Sequence, residues 1–227
     1  MDNTSHQIPN LEVKTFKGNN YEIKSIEGTI HLPAWRGFQS RQGAYNSMDS
    51  KSQSDGIVKL MLGGDEAMDD PTVSAEQVKA YQYLVEHQYT IRDNILRALF
   101  NEYKRLQPIY GYEKGDPLMP DVTNVTQFKT LIGLSIVHLL NMSRDGVAYV
   151  GFEFGCTWDD EHGVGIMTHK NRVIEIGGAD ASFTAWMAEK DSSSEGAINL
   201  SEGEGGSKDD SNGLDTQTDQ KPWWKFW

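Results

Sequence analysis

From Ala148 to Trp158 every even-numbered residue is apolar or a cysteine: Ala148, Val150, Phe152, Phe154, Cys156 and Trp158. Successive strand side chains point to opposite faces, so this run needs a sheet and a core to cover one side of it. Ser143-Arg144-Asp145-Gly146 precedes it and carries the Asp-Gly hairpin signal. Leu134 to Met142 reads as the partner strand. Val164 to His169 and Arg172 to Ile176 read as a second hairpin across Lys170-Asn171. A C-terminal meander of about four antiparallel strands follows from these spacings. Gly177-Gly178 ends it, and Ala179 to Glu189 reads as a short closing helix.

The N-terminal region also reads as strands. Leu11 to Lys17 alternates at period two, Gly18-Asn19-Asn20 supplies a turn, and Tyr21 to Ile26 and Thr29 to Leu32 continue the pattern. Trp35 to Asp55 is loop-like, and Gly56 to Leu62 is a more buried strand. Between the two strand regions lies a helix with a well-marked start. Ser74 fits an N-cap, Gln77 completes a capping box, and Val73 and Val78 are placed for a hydrophobic staple. The apolar stripe Val78, Tyr81, Val85, Ile95, Leu99, Leu106 is interrupted by Gln88 and Arg92. It predicts one long helix with a polar middle or two helices meeting near His87, ended by Pro108. Thr123 to Leu131 reads as a short helix. Strands, helix, strands indicate an α+β fold, an antiparallel sheet packed on one long or two consecutive central helices.

The expected organisation is a flexible N-terminus at 1–10, one domain at 11–190, a disordered acidic linker at 191–220 and an aromatic tip at 221–227. The linker has too few apolar side chains to offset the entropy of ordering. The tip, Lys221-Pro222-Trp223-Trp224-Lys225-Phe226-Trp227, holds three of the six tryptophans.

A net charge of −12 argues against nucleic-acid binding, which needs cations to neutralise phosphates. It suits a basic protein partner. One cysteine excludes an intrachain disulfide and a CxxC-type zinc site. The absence of a run of about 18 apolar residues argues against a spanning helix, and the cytoplasm is the expected compartment.

No nucleophile elbow, phosphate loop or dinucleotide fingerprint is present, so no cofactor is expected and an enzyme is the less favoured class. The polar chemistry concentrates at Asp159, Asp160, Glu161 and His162. Three of them, Asp159, Glu161 and His162, make with Glu153 and His169 a candidate set for zinc or manganese; the simpler reading is a solvated hairpin loop. Glu153 alone reads as a solvated or ion-paired strand residue. His138, on the parity of Leu134, Ile136, Leu140 and Met142, reads as a core histidine with a satisfied hydrogen bond. Cys156 reads as a buried small hydrophobe. Trp223, Trp224, Phe226 and Trp227 are candidates for docking on a protein partner or on the chain's own domain, with a membrane interface as the weaker alternative.

The segments Glu76-Gln77-Val78, Ile91-Arg92-Asp93, Met119-Pro120-Asp121-Val122, Gly146 to Phe154, Cys156 to Gly163 and Ile176 to Asp180 resemble an uncharacterised bacterial domain family of unknown function. The resemblance runs from about Trp35 to Phe183. It implies no activity. By analogy the small acidic chain is similar to immunity proteins that neutralise basic toxins. The reading is therefore a non-enzymatic binding module, with a metal-dependent enzyme and a peripheral membrane protein as alternatives.

Overall fold

A computed structural model describes residues 7–17, 22–40, 52–64 and 71–198. Residues 1–6, 18–21, 41–51, 65–70 and 199–227 lie outside them, and with these most of the expected flexible N-terminus, the aromatic tip and most of the expected linker. Seven strands form one sheet in sequence order: β1 (Glu12–Lys17), β2 (Glu22–His31), β3 (Ile57–Gly63), β4 (Ile132–Arg144), β5 (Val147–Cys156), β6 (Val164–His169) and β7 (Arg172–Gly177). Helix α1 (Ala75–Ile109) joins β3 to β4, and α2 (Ala185–Ile198) follows β7.

The α+β class stands, but the sheet is mixed. β3 and β4 run parallel, Leu60 beside Val137 and Met61 beside His138; the other neighbouring pairs are antiparallel. The reason is the connection: a strand that leaves through a crossover helix and returns beside itself must return in the same direction. β3-α1-β4 is one such unit, welding the N-terminal strands to the C-terminal meander.

α1 is a single helix of 35 residues, which decides between one helix and two. Ser74 and Gln77 form the expected capping box: the Gln77 backbone N–H donates to Ser74 Oγ at 3.1 Å and the Ser74 N–H to Gln77 Oε1 at 3.0 Å. Pro108 sits inside the last turn, one residue before the end. The polar middle docks. Ala34 N–H donates to Gln88 Oε1 at 3.0 Å, and Arg92 Nη1 donates to Ala34 O at 3.1 Å. Both backbone groups of one residue in the 3-10 turn Pro33–Trp35 are thereby satisfied by the side chains that break the apolar stripe. The buried line is Gln77, Ala80, Leu84, Gln88, Ile91, Ile95, Leu99, Tyr103 and Leu106. Val85 is exposed and Tyr81 only half-buried, contrary to the apolar stripe, because two glutamines take core positions by hydrogen bonding.

α1 covers one face of the sheet. Ile26, Ile30, Val58, Leu60, Val137, Leu139, Val150, Phe152, Phe154 and Ile166 form the core with it. The even-numbered face of β5 is buried from Ala148 to Trp158, as its alternation requires.

Two irregularities in β4 decide what lies on the other face. Leu134 pairs with Phe154 but Ile136 pairs with Glu153, so Ser135 is an extra residue, and its Oγ donates to Glu153 O at 2.8 Å. The bulge shifts the parity. Leu134 goes to the α1 face, and the period-two grouping of Leu134 with His138 fails at Ser135. Further on, Leu140, Asn141 and Met142 oppose only Tyr149, between the pairs Leu139–Val150 and Ser143–Ala148. Gln77 Nε2 fills this second break, donating to Leu139 O at 3.1 Å, Leu140 O at 3.4 Å and Asn141 Oδ1 at 3.2 Å. One fully buried side chain thus caps α1 and seals the bulge. Gln77→Ala is expected to cost about 2 kcal/mol, read as a lowered urea midpoint; an unchanged midpoint would contradict this role.

Candidate functional site

The second face of the sheet carries the polar chemistry. Opposed pairs place Met61 beside His138, His138 beside Gly151, and Gly151 beside Met167; Glu153 stands beside Gly165. The glycines make a floor. A Cβ on Gly151 would lie 1.5 Å from Ser182 O, and one on Gly165 would lie 2.4 Å from Gly178 O. The 3-10 turn Ala179–Ser182 therefore rests directly on sheet backbone, a contact that only glycine permits. Gly177-Gly178-Ala179-Asp180 is the bend that delivers it.

Under this turn His138 Nε2 lies 3.1 Å from Glu153 Oε2, with the two side chains 6% and 12% exposed. The Phe183 ring stands 5.2 Å from the imidazole, centroid to centroid. His138 is thus buried with a partner, as expected, but the Ser135 bulge puts it on the face away from α1, and Glu153 is that partner. Among the described residues no nucleophile or second carboxylate is hydrogen-bonded to the side chains of this pair.

The five residues of the suggested metal set fall into three places. Glu153 pairs with His138. Asp159 and His162 form a local turn, Asp159 Oδ1 accepting the His162 backbone N–H at 3.0 Å and lying 3.1 Å from His162 Nδ1, with Glu161 exposed beside them. His169, on β6, donates from Nε2 to Arg144 O at 2.9 Å and packs on the Tyr149 ring. Among the described residues no group of three or more histidine, cysteine, aspartate or glutamate side chains is placed to hold a metal ion. Their separation has a physical cause: a loop of consecutive polar residues satisfies itself locally. The same block braces the domain through its backbone. Tyr112 Oη donates to Trp158 O at 3.1 Å, Thr157 N–H to Leu131 O at 2.9 Å, and Ala179 N–H to His162 O at 3.2 Å. Cys156 is buried, as expected of a small hydrophobe.

Residues 26–183 match the family described as a domain of unknown function, DUF6985. This chain belongs to that family. No curated protein and no solved structure matches it. The matched span begins upstream of Trp35, so it includes the end of β2 and all of β3. It contains the glycine floor and the His138–Glu153 pair. β1, the start of β2, and α2 lie outside it.

Two further features lie on the second face, each joining residues inside 26–183 to residues outside them. The first is a clasp. Asp191 accepts Arg172 Nη1 and Nη2 at 2.7 Å each, Tyr149 Oη at 2.8 Å and Arg144 Nη1 at 3.3 Å. These donors hold its carboxyl down to about 2, Arg172 contributing most, although its burial opposes the shift. Burial pushes the Tyr149 phenol up to about 12 and lowers His169. Ala188 closes a small cluster with Leu140, Tyr149 and Met167. Asp191 therefore belongs to the packed unit, and the boundary expected at Lys190 is too early; no local pattern marks the residue, because its partners are 19 to 47 positions away.

The second feature is a bare half-face. The turn and α2 cover β4 to β7, whereas β1 to β3 show Phe16 56%, Ile23 44% and Ile57 50% exposed. Phe16 and Ile23 are direct cross-strand partners. The charges among them are internally paired: Lys14 Nζ to Glu12 at 2.8 Å and Lys59 Nζ to Glu27 at 3.0 Å. No helix among the described residues is long and apolar enough to cross a membrane.

Proposed function

We propose that this chain is a non-enzymatic protein-binding module whose binding surface is the bare β1–β3 half of the sheet. The observation that carries the reading is the pairing of Phe16 with Ile23 on a face that no element of the described residues covers. Large apolar side chains on an open sheet, among charges that already neutralise each other, suit a partner that buries them. β1 is the terminal strand of the sheet order, so its outer edge offers backbone groups as well. A net charge of −12 favours a basic partner and a fast, salt-sensitive encounter. A basic toxin, neutralised in the cytoplasm in an immunity-like way, is a partner of that charge.

The test is affinity capture from extract of the native cells, followed by titration of the purified captured protein against the full chain and against Phe16→Ser/Ile23→Ser. The double substitution is expected to weaken binding at least about tenfold while leaving the urea midpoint nearly unchanged. Equal affinity of the two forms, or no protein retained in stoichiometric amount, would contradict the proposal.

A further inference from the structure

We propose that the segment Lys221–Trp227 docks in cis on the bare β1–β3 face and competes there with the partner. The competition rests on the binding surface proposed above; the docking does not.

The face calls for an aromatic, uncharged or weakly cationic occupant, because its own charges are paired and its free features are Phe16, Ile23 and Ile57. The segment supplies Trp223, Trp224, Phe226 and Trp227, with Lys221 and Lys225 and no acid. In a chain of net charge −12 such a cationic stretch is drawn to its own domain.

The placement of α2 brings the segment to the right face and the right end. α2 lies on the same side of the sheet as Phe16 and Ile23. Ala188 packs over Leu140, Tyr149 and Met167, and Asp191 reaches Arg144 and Arg172, where β4 ends and β7 begins. β3 runs parallel to β4 and β2 antiparallel to β3, so the end of β3 and the start of β2 share that end of the sheet. Phe16 and Ile23 lie there too, Phe16 near the end of β1. The β5-to-β2 distance across the sheet is about 14 Å at the usual strand spacing. A random coil as long as the stretch 199–220 has a root-mean-square span of about 25 Å. That reach covers the distance without stretching, and a tether of this kind gives an effective concentration on the order of millimolar.

Phe16 and Ile23, two of the three exposed apolar side chains of the face, fall outside residues 26–183, as do α2 and the segment, whereas Ile57 falls inside.

The experiment compares the full chain with the chain ending at Gln220 by hydrogen exchange and tryptophan fluorescence. Slower exchange in 12–17 and 22–31 is expected in the full chain. That protection should be lost on truncation and restored by millimolar peptide of sequence Lys-Pro-Trp-Trp-Lys-Phe-Trp. Phe16→Ser/Ile23→Ser in the full chain should red-shift the emission. Identical exchange in the two chains would overturn the docking. So would protection that appears only as protein concentration rises, which would place the segment on a second copy. Segment-dependent binding to phosphatidylcholine vesicles with no protection of β1 and β2 would overturn it in favour of a membrane. If docking holds, truncation should raise partner affinity about tenfold. Protection without any change in affinity would leave the docking standing and overturn the competition, counting against the proposed binding surface alone.

Discussion

Gly151→Ala is expected to destabilise the domain by about 3 kcal/mol or more. The added Cβ would sit 1.5 Å from Ser182 O and 2.4 Å from Ser182 C, so backbone rather than a movable side chain stands in its way. Either the turn Ala179–Ser182 lifts from the sheet or β5 shifts. Lifting the turn uncovers Ala181, Ser182 and the buried pair of His138 and Glu153. Urea denaturation measures the loss, and faster hydrogen exchange over residues 179–183 locates it. Gly165→Ala should act in the same direction, since its Cβ would meet the backbone of Gly178, Ala179 and Ser182. A cost below about 1 kcal/mol for Gly151→Ala would show that the turn does not rest on the sheet.

Asp191→Asn is expected to cost about 2 kcal/mol at neutral pH and almost nothing near pH 2. The carboxyl is held at about 2 against an ordinary 3.8, mainly by Arg172, with Tyr149 and Arg144 adding to it. A depressed carboxyl contributes its full stabilisation above the unfolded value and loses it as pH falls through the folded one. The difference between wild type and variant should therefore be flat above about pH 5 and close between about pH 4 and pH 2. His169 acts separately. Burial lowers it, so the unfolded chain takes up its proton first, and stability begins to fall below about pH 6.5 in both proteins. Urea midpoints of the two proteins at a series of pH values resolve these steps. A difference that persists unchanged to pH 2 would mean that Asp191 acts by packing and not by charge.

The parts of this fold that rest on local pattern were legible in the sequence. Ser74 and Gln77 mark the start of α1, Asp145-Gly146 marks the hairpin between β4 and β5, and the even face of β5 lies in the core. Long-range matters were not. Nothing near Gln88 shows that it caps Ala34, 54 residues upstream, so its polarity looked like a break in the helix. Ser135 is an ordinary strand residue until its bulge turns His138 toward Glu153 rather than toward the α1 core. The parallel pairing of β3 with β4 follows from the crossover through α1, which strand-by-strand reading does not reveal. At the candidate site, Glu153 and His138 were each visible as partnered strand residues, but their pairing depends on register. The exposed face was hidden for the same reason: the alternation that carries Phe16 and Ile23 does not show that no element among the described residues covers them.

Partner binding on the β1–β3 half of the sheet is read out by hydrogen exchange of the chain ending at Gln220, with and without saturating captured partner. Slowed exchange on binding is expected in 12–17, 22–31 and 57–63. Protection confined to the loop at 159–163 or to the outer face of α1, with β1 to β3 unchanged, would contradict it.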